Sequence, residues 1–140
     1  MRTALDTNIL SPIWSAAPSA VTVAAQLSKV RAEGALVISA PVFIELSAVP
    51  GLNVQAVRKA LAETAIAIDF DLEEDVWMLA AASFATYAVR RRRSGGGSPK
   101  RLLPDFVIAA HALLKADRLM TLDANRYSLD FPQLRLLGGG

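Results

Sequence analysis

The sequence predicts a single α/β domain with a central, mostly parallel sheet flanked by helices. Short apolar segments of strand length alternate with segments of helical periodicity along a chain of 140 residues. This alternation is typical of parallel sheets that carry helices on both faces. A chain of this length fits one domain, which we place at residues 1–140, and no internal repeat is visible.

The first part of the chain contains two predicted strands. Residues 3–5 are a short apolar run that predicts a buried strand, and a turn leads from it to a helical segment at residues 9–14. Ser19 is a candidate N-cap for a second helix, whose apolar residues recur at helical spacing until Gly34. Residues 35–38 form the second apolar run of strand length.

A helix follows the second strand. Pro41 is typical of the first turn of a helix, and Glu45 then lies about one turn inside it. Asn53 is a candidate cap for a short helix that continues through Ala62. Residues 65–70 predict the third strand.

A long alanine-rich helix is predicted next. Asp71, followed by Glu74 three positions later, resembles a capping box at the start of this helix, which continues toward Val89. Residues 94–99 contain three glycines, two serines and a proline, which favours a flexible loop within the domain.

The last part of the chain completes the predicted sheet. Pro104 indicates the first turn of a helix that continues to Lys115. Residues 119–122 predict a strand, and residues 134–137 predict a last edge strand. We expect the three glycines at residues 138–140 to form a disordered tail.

Four carboxylates stand at the edges of these apolar segments. Asp6 follows the first strand, Glu45 lies just beyond the second, Asp105 opens a helix and Asp123 closes a strand. Each could by itself be a capping or solvated residue. In a parallel sheet, however, the carboxyl ends of the strands meet at one edge, where ligands bind. Clustered carboxylates raise each other's pKa and favour a hard divalent cation, so the pattern predicts metal-assisted chemistry on a phosphate.

Composition excludes several kinds of site. The chain has no cysteine and one histidine, which rules out disulfides, thiolate zinc sites and a histidine-rich zinc site. It has no apolar run of the roughly 18–20 residues that cross a bilayer and no signal core, so we expect a cytoplasmic protein without membrane contact. Hydrophobic residues make up 53% of the chain and its mean hydropathy is +0.35, which favours spare apolar surface for a partner or a homodimer.

Basic residues are concentrated in one stretch. It contains Arg90, Arg91, Arg92, Arg93, Lys100 and Arg101, whereas the formal charge of the whole chain is +2. Such a stretch can bind RNA phosphates without reading sequence, or an acidic partner segment. Arginines that complement a helix C-terminus are the structural alternative.

Four short motifs resemble those of the PIN-domain ribonuclease superfamily, most closely the VapC toxins of bacterial toxin–antitoxin pairs. In chain order they are Leu5-Asp6-Thr7-Asn8, Pro41-Val42-Phe43-Ile44-Glu45-Leu46, Pro104-Asp105-Phe106-Val107-Ile108-Ala109-Ala110 and Leu119-Met120-Thr121-Leu122-Asp123. Their order and the chain length match nearly the whole chain. Each motif alone is weakly specific, but four in the same order are a strong signal.

The resemblance implies a site and a reaction. It implies that the four acids, Asp6, Glu45, Asp105 and Asp123, hold Mg²⁺ or the substitute Mn²⁺, with Thr7, Asn8 and Thr121 as supporting residues. It further implies an endoribonuclease whose products carry a 5′-phosphate, and a cognate antitoxin as partner. Some relatives have a further acid where this chain has Asn125, so the number of metal ions, one or two, stays open.

The sequence is also compatible with two alternative functions. One is a housekeeping RNA-processing or structure-specific nuclease with the same acids, and the other is a catalytically inert RNA-binding module that uses the basic stretch. Four mutually repelling carboxylates argue against an inert module.

Overall fold

A computed structural model describes residues 1–95 and 103–138 of the protein. In these residues one sheet is formed by β1 (Thr3–Leu5), β2 (Leu36–Ser39), β3 (Ile66–Asp69), β4 (Arg118–Thr121) and β5 (Leu136–Gly138). The strand order is β3-β2-β1-β4-β5, and every neighbouring pair is parallel. The α/β prediction is confirmed, and the sheet, which the sequence predicted to be mostly parallel, is parallel throughout.

Helices connect the strands. Those in the described residues are α1 (Thr7–Trp14), α2 (Ala20–Glu33), α3 (Ala40–Ser47), α4 (Val54–Glu63), α5 (Glu74–Arg93), α6 (Leu103–Lys115) and α7 (Asn125–Ser128). Asn53 caps α4 as predicted, because its side chain accepts a hydrogen bond from the N–H of Ala56. In the described part of the chain, no helix has both the length and the apolar character that a membrane crossing requires.

The predicted capping box at the start of the long helix is wrong. Helix α5 begins at Glu74 with Glu73 as its N-cap, so Asp71 lies two residues before the cap. Leu72 packs against the core, and its carbonyl accepts a hydrogen bond from the indole N–H of Trp77 at 3.1 Å. These contacts fix the backbone at Leu72 just before the helix, so that the first helical turn begins at Glu74 rather than after Asp71.

The C-terminal tail also differs from the prediction. Gly138, expected to be disordered, is the last residue of β5 and pairs with Thr121 of β4. A glycine supplies the same backbone N–H and C=O groups to a sheet as any other residue, so it can extend an edge strand. Residues 139–140 and residues 96–99 of the predicted loop lie outside the described residues.

The sheet is covered on both faces. Every residue of β1, β2 and β4 is buried. Because side chains alternate between the two faces of a strand, complete burial requires packed layers on both sides. This is why these strands have consecutive apolar residues rather than an alternating pattern, with buried polar residues only at their ends.

Among the described helices, α6 has the most buried residues. Its residues from Asp105 to Ala112 are all buried. Phe106 packs edge-on against Phe84 of α5, with ring centroids 5.1 Å apart, and it also contacts the ring of Phe131 at 5.9 Å. These aromatic contacts hold the first turn of α6, and therefore Asp105, in a defined position.

A second polar cluster ties α6 to the edge strand β3. His111 is 1% exposed, and its Nε2 lies 2.8 Å from Oδ2 of Asp69, which also accepts a hydrogen bond from Arg2 at 2.9 Å. Burial lowers the pKa of His111, and the hydrogen bond and charge of Asp69 only partly oppose this effect. His111 is thus a structural residue that links α6 to β3.

The lowered pKa of His111 predicts a pH-dependent stability. The unfolded chain takes up a proton at His111 as the pH falls through about 6.5, whereas the folded protein resists protonation. The contribution of His111 to the free energy of unfolding is therefore fully present above that pH. Below it, this contribution decreases by at most about 1.4 kcal/mol per pH unit. Urea unfolding between pH 7.5 and 5 should show a shallower decrease for His111→Asn than for the wild type. Parallel curves for the two proteins would contradict this assignment.

Candidate functional site

Asp6 lies at the centre of the candidate site, between β1 and α1. It is the N-cap of α1 and is 2% exposed, and its own N–H donates to the carbonyl of Met120 in the neighbouring strand. Its Oδ1 accepts a hydrogen bond from the N–H of Thr7 at 2.7 Å. Its Oδ2 accepts two, from the hydroxyl of Thr121 at 2.9 Å and from that of Tyr127 at 2.7 Å. Three donors therefore fix the orientation of this carboxylate.

Asn8 and Thr121 connect the start of α1 to the end of β4. The side-chain amide of Asn8 donates to Oγ1 of Thr121 at 3.2 Å, and its Oδ1 accepts from the N–H of Leu122 at 3.0 Å. Oγ1 of Thr121 also accepts from the N–H of Asp123 at 3.1 Å. The side chain of Thr121 therefore contacts both Asp6 and the turn that carries Asp123.

Glu45 joins the site from α3. It is partly buried, and its Oε1 accepts a hydrogen bond from the hydroxyl of Thr7 at 2.6 Å. Burial raises the pKa of Glu45, the hydrogen bond from Thr7 lowers it, and the negative charges of Asp6 and Asp105 raise it again. Because the charges of Asp6 and Asp105 both affect the pKa of Glu45, these three acids lie close enough to interact electrostatically.

Asp105 and Asp123 share a partner that the sequence analysis did not identify. Nη1 of Arg126 lies 3.7 Å from Oδ1 of Asp105, and its Nε lies 3.3 Å from Oδ2 of Asp123. The side chain of Asp105 is 10% exposed, whereas that of Asp123 is 46% exposed. One guanidinium thus links the acid that opens α6 to the acid that follows β4.

Tyr127, which donates a hydrogen bond to Asp6, is the other residue of the site that the sequence analysis did not identify. It is fully buried, and burial together with the charge of Asp6 raises the pKa of its hydroxyl, so it remains a neutral donor. Both Arg126 and Tyr127 belong to α7, a helix of four residues that is too short to produce a periodic pattern. The spacing of three residues between Asp123 and Arg126 was the one available signal.

The structure brings the seven predicted acids and supporting residues into one region. Asp6, Thr7, Asn8, Glu45 and Thr121 form a connected hydrogen-bond network, and Asp105 and Asp123 join it through Arg126 and through charge. In residues 1–95 and 103–138, no three Asp, Glu or His side chains are arranged to hold a metal ion together. The acids are grouped, but Asp105 and Asp123 face the guanidinium of Arg126.

The basic stretch does not behave as one unit. Arg90 pairs with the nearly buried Asp130 at 2.6 Å and lies over the ring of Tyr87, so it has a structural role. Arg92 and Arg93, in the last turn of α5, are exposed, and Arg91 is partly buried. Lys100 and Arg101 lie outside the described residues.

The hydrogen bond from Tyr127 to Asp6 should stabilise the protein because its acceptor is charged. Tyr127→Phe should lower the free energy of unfolding by about 1.5–3 kcal/mol, the range for a hydrogen bond to a charged group. The same substitution in an Asp6→Asn background should cost less, so urea unfolding of the four proteins forms a double-mutant cycle. If the effects of Tyr127→Phe and Asp6→Asn on the free energy of unfolding were strictly additive, this would contradict a stabilising hydrogen bond between the two residues.

Comparison with known proteins places this geometry in a family. The family model described as the PIN domain matches residues 3–132. The VapBC-1 structure from nontypeable Haemophilus influenzae has a TM-score of 0.66 and 21% identity, with 99% of this chain and 98% of that chain covered. A second structure contains VapBC2 from Rickettsia felis bound to a DNA fragment from the promoter of VapBC2. It has a TM-score of 0.63 and 19% identity, with 99% of this chain and 98% of that chain covered.

No curated protein sequence matches the chain significantly. The two solved structures are too distant in sequence to show more than a common fold. The family model, in contrast, covers most of the chain. The chain therefore belongs to the PIN domain family.

Proposed function

We propose that this protein is a metal-dependent endoribonuclease and the toxin of a type II toxin–antitoxin pair, similar to VapC. The observation that carries the proposal is the grouping of Asp6, Glu45, Asp105 and Asp123 at the carboxyl edge of a parallel sheet in a PIN domain. Solved neighbours of the same fold are VapBC proteins, which supports the toxin class.

The donor set suits Mg²⁺ or Mn²⁺. All four candidate ligands are carboxylates, and hard cations of this kind bind oxygen ligands. Burial and, to a smaller extent, the negative charges of Asp6 and Asp105 raise the pKa of Glu45, and an added cation would relieve the part that comes from repulsion between the acids. We assign Asp6, Glu45, Asp105 and Asp123 as the residues that would hold the metal.

The protein's own residues have distinct roles in this mechanism. Thr7, Thr121 and Tyr127 hold Asp6 in one orientation, and Asn8 holds Thr121. A bound Mg²⁺ or Mn²⁺ would supply Lewis acidity and lower the pKa of a water that attacks the phosphorus. The buried and hydrogen-bonded acids would keep the reacting groups in place, so that little reorganisation is needed during the reaction.

The proposed partners are RNA, an antitoxin and a second copy of the chain. Large apolar side chains are exposed at Val21 of α2, at Met78 of α5 and at Leu129, directly after α7, and they are 82%, 65% and 68% exposed. Ile44, 68% exposed, stands next to Glu45 on α3. An amphipathic antitoxin segment that covers Ile44 would lie beside Glu45 and limit access to the acids.

Cleavage of RNA is the direct test. Purified protein without antitoxin should cut RNA with Mg²⁺ or Mn²⁺ and not with EDTA. Asp6→Asn and Asp105→Asn should each reduce the cleavage rate by more than about 100-fold, because even residues that only support metal ligands change activity by about 10–100-fold. The matched control is Asp71→Asn, which alters an exposed aspartate outside the site and should retain activity.

Three results would contradict this proposal. They are cleavage that persists in EDTA, full activity of the Asp6→Asn variant, and absence of cleavage and of Mn²⁺ binding by folded wild-type protein. Circular dichroism of each variant would establish that it is folded. Harmless expression of an active enzyme without any antitoxin would instead favour a housekeeping nuclease.

Arg92 and Arg93 are the proposed contacts to RNA phosphates within the described part of the basic stretch. Arg92→Gln/Arg93→Gln should weaken binding of single-stranded RNA, and the slope of log K against log salt should flatten by about 0.7 per lost contact. Fluorescence anisotropy in EDTA with Asp6→Asn protein would measure binding without cleavage. Lys29→Gln/Arg31→Gln, which removes two exposed charges from α2, is the control. Equal slopes for the two double variants would assign Arg92 and Arg93 to another role.

A further inference from the structure

Arg126 occupies an unusual position for a basic residue, among four carboxylates. It follows Asp123 by three positions on α7, and its guanidinium lies between Asp123, at 3.3 Å, and Asp105, at 3.7 Å. The contact to Asp105 is longer than a hydrogen bond and is therefore mainly an attraction of charges. Its side chain is 38% exposed, so it reaches solvent on one side and the acids on the other.

The charge of Arg126 affects more than its two nearest partners. Burial by itself would lower the pKa of Arg126, but the surrounding negative charges, Asp105 foremost, raise it. The positive charge of Arg126 in turn lowers the pKa of Glu45. One guanidinium thus attracts Asp105, Asp6 and Asp123 and offsets part of the repulsion of Glu45 by Asp6 and Asp105.

An arginine cannot give up this charge at any ordinary pH. A divalent cation bound by Asp105 and Asp123 would therefore meet a fixed positive charge on the same two carboxylates. Both cations would be attracted to the same oxygens and would repel each other. The described acids are not arranged to hold a metal together, and the two that face Arg126 are among them.

We propose that Arg126 is an internal counter-ion that competes with the divalent cation. It pairs with Asp105 and Asp123 in the metal-free protein, and its guanidinium leaves this position when the metal binds. This inference rests on the proposed metal site and adds that the chain itself sets the affinity of that site. Arg126 is accordingly a regulatory residue of the site and has no assigned contact with the reacting atoms.

The proposal predicts effects of opposite sign without and with metal. Without metal, Arg126→Gln should lower the melting temperature because the acids lose their counter-ion. Arg126→Gln should bind Mn²⁺ more tightly than the wild type by about twofold to fivefold, the effect expected of a partly exposed ion pair. Its melting temperature should therefore rise more on addition of Mn²⁺. A purely structural arginine would change only the first quantity. Arg126→Lys keeps the charge and should lie between Arg126→Gln and the wild type.

Isothermal titration of the full chain with Mn²⁺ would test this, with Arg135→Gln as the control. Arg135 is exposed, and its replacement removes the same charge without altering the acids. Nuclear magnetic resonance provides a second readout: the Nε–H signal of Arg126, assigned by its loss in Arg126→Gln, should shift as Mg²⁺ saturates the wild type.

Each outcome supports or overturns the inference. Tighter Mn²⁺ binding by Arg126→Gln, unchanged binding by Arg135→Gln and a shifted Nε–H signal would support it. Equal Mn²⁺ affinity of Arg126→Gln and wild type, or a stationary Nε–H signal at Mg²⁺ saturation, would overturn it while the metal site stands. Absence of Mn²⁺ binding in both proteins would overturn the proposed metal-dependent function as well.

Discussion

The hydrogen bonds to the buried carboxylate of Asp6 are the interaction on which the rest of the site depends. Donors come from three places in the chain: the backbone of Thr7, the end of β4 at Thr121, and α7 at Tyr127. A buried charge without partners would be strongly destabilising, so these donors are required once Asp6 is placed inside the protein. They also join α1, β4 and α7, and thereby bring Asp123 and Arg126 toward the same region.

The balance of charge around Asp6 explains how four acids can share one edge of the sheet. Asp6 is compensated by neutral donors, Glu45 by the hydroxyl of Thr7, and Asp105 and Asp123 by Arg126. Three kinds of partner thus stabilise the four acids. The folded protein can therefore accommodate the four acids, and their carboxylate oxygens are of the ligand type that the proposed hard cation prefers.

The cluster of Asp69, His111 and Arg2 has a different role. Its residues hold the middle of α6 against the edge strand β3, while the first turn of the same helix presents Asp105 to the site. Since one helix carries both, a rigid attachment at His111 positions Asp105. The charged groups of this protein therefore divide into those that build the scaffold and those that form the site.

The sequence alone determined the α/β class and four of the five strands, each to within one residue at both ends, because strand-length apolar runs are local signals. The residues that follow these runs also allowed it to single out seven residues that the structure brings into one region. It also predicted the last strand, though not that Gly138 belongs to it. Tertiary structure decided the rest. Tyr127 binds Asp6 across 121 positions of chain, and Arg126 lies between two acids from different elements. Such contacts depend on how α7 packs, and a helix of four residues leaves no periodic trace in the sequence.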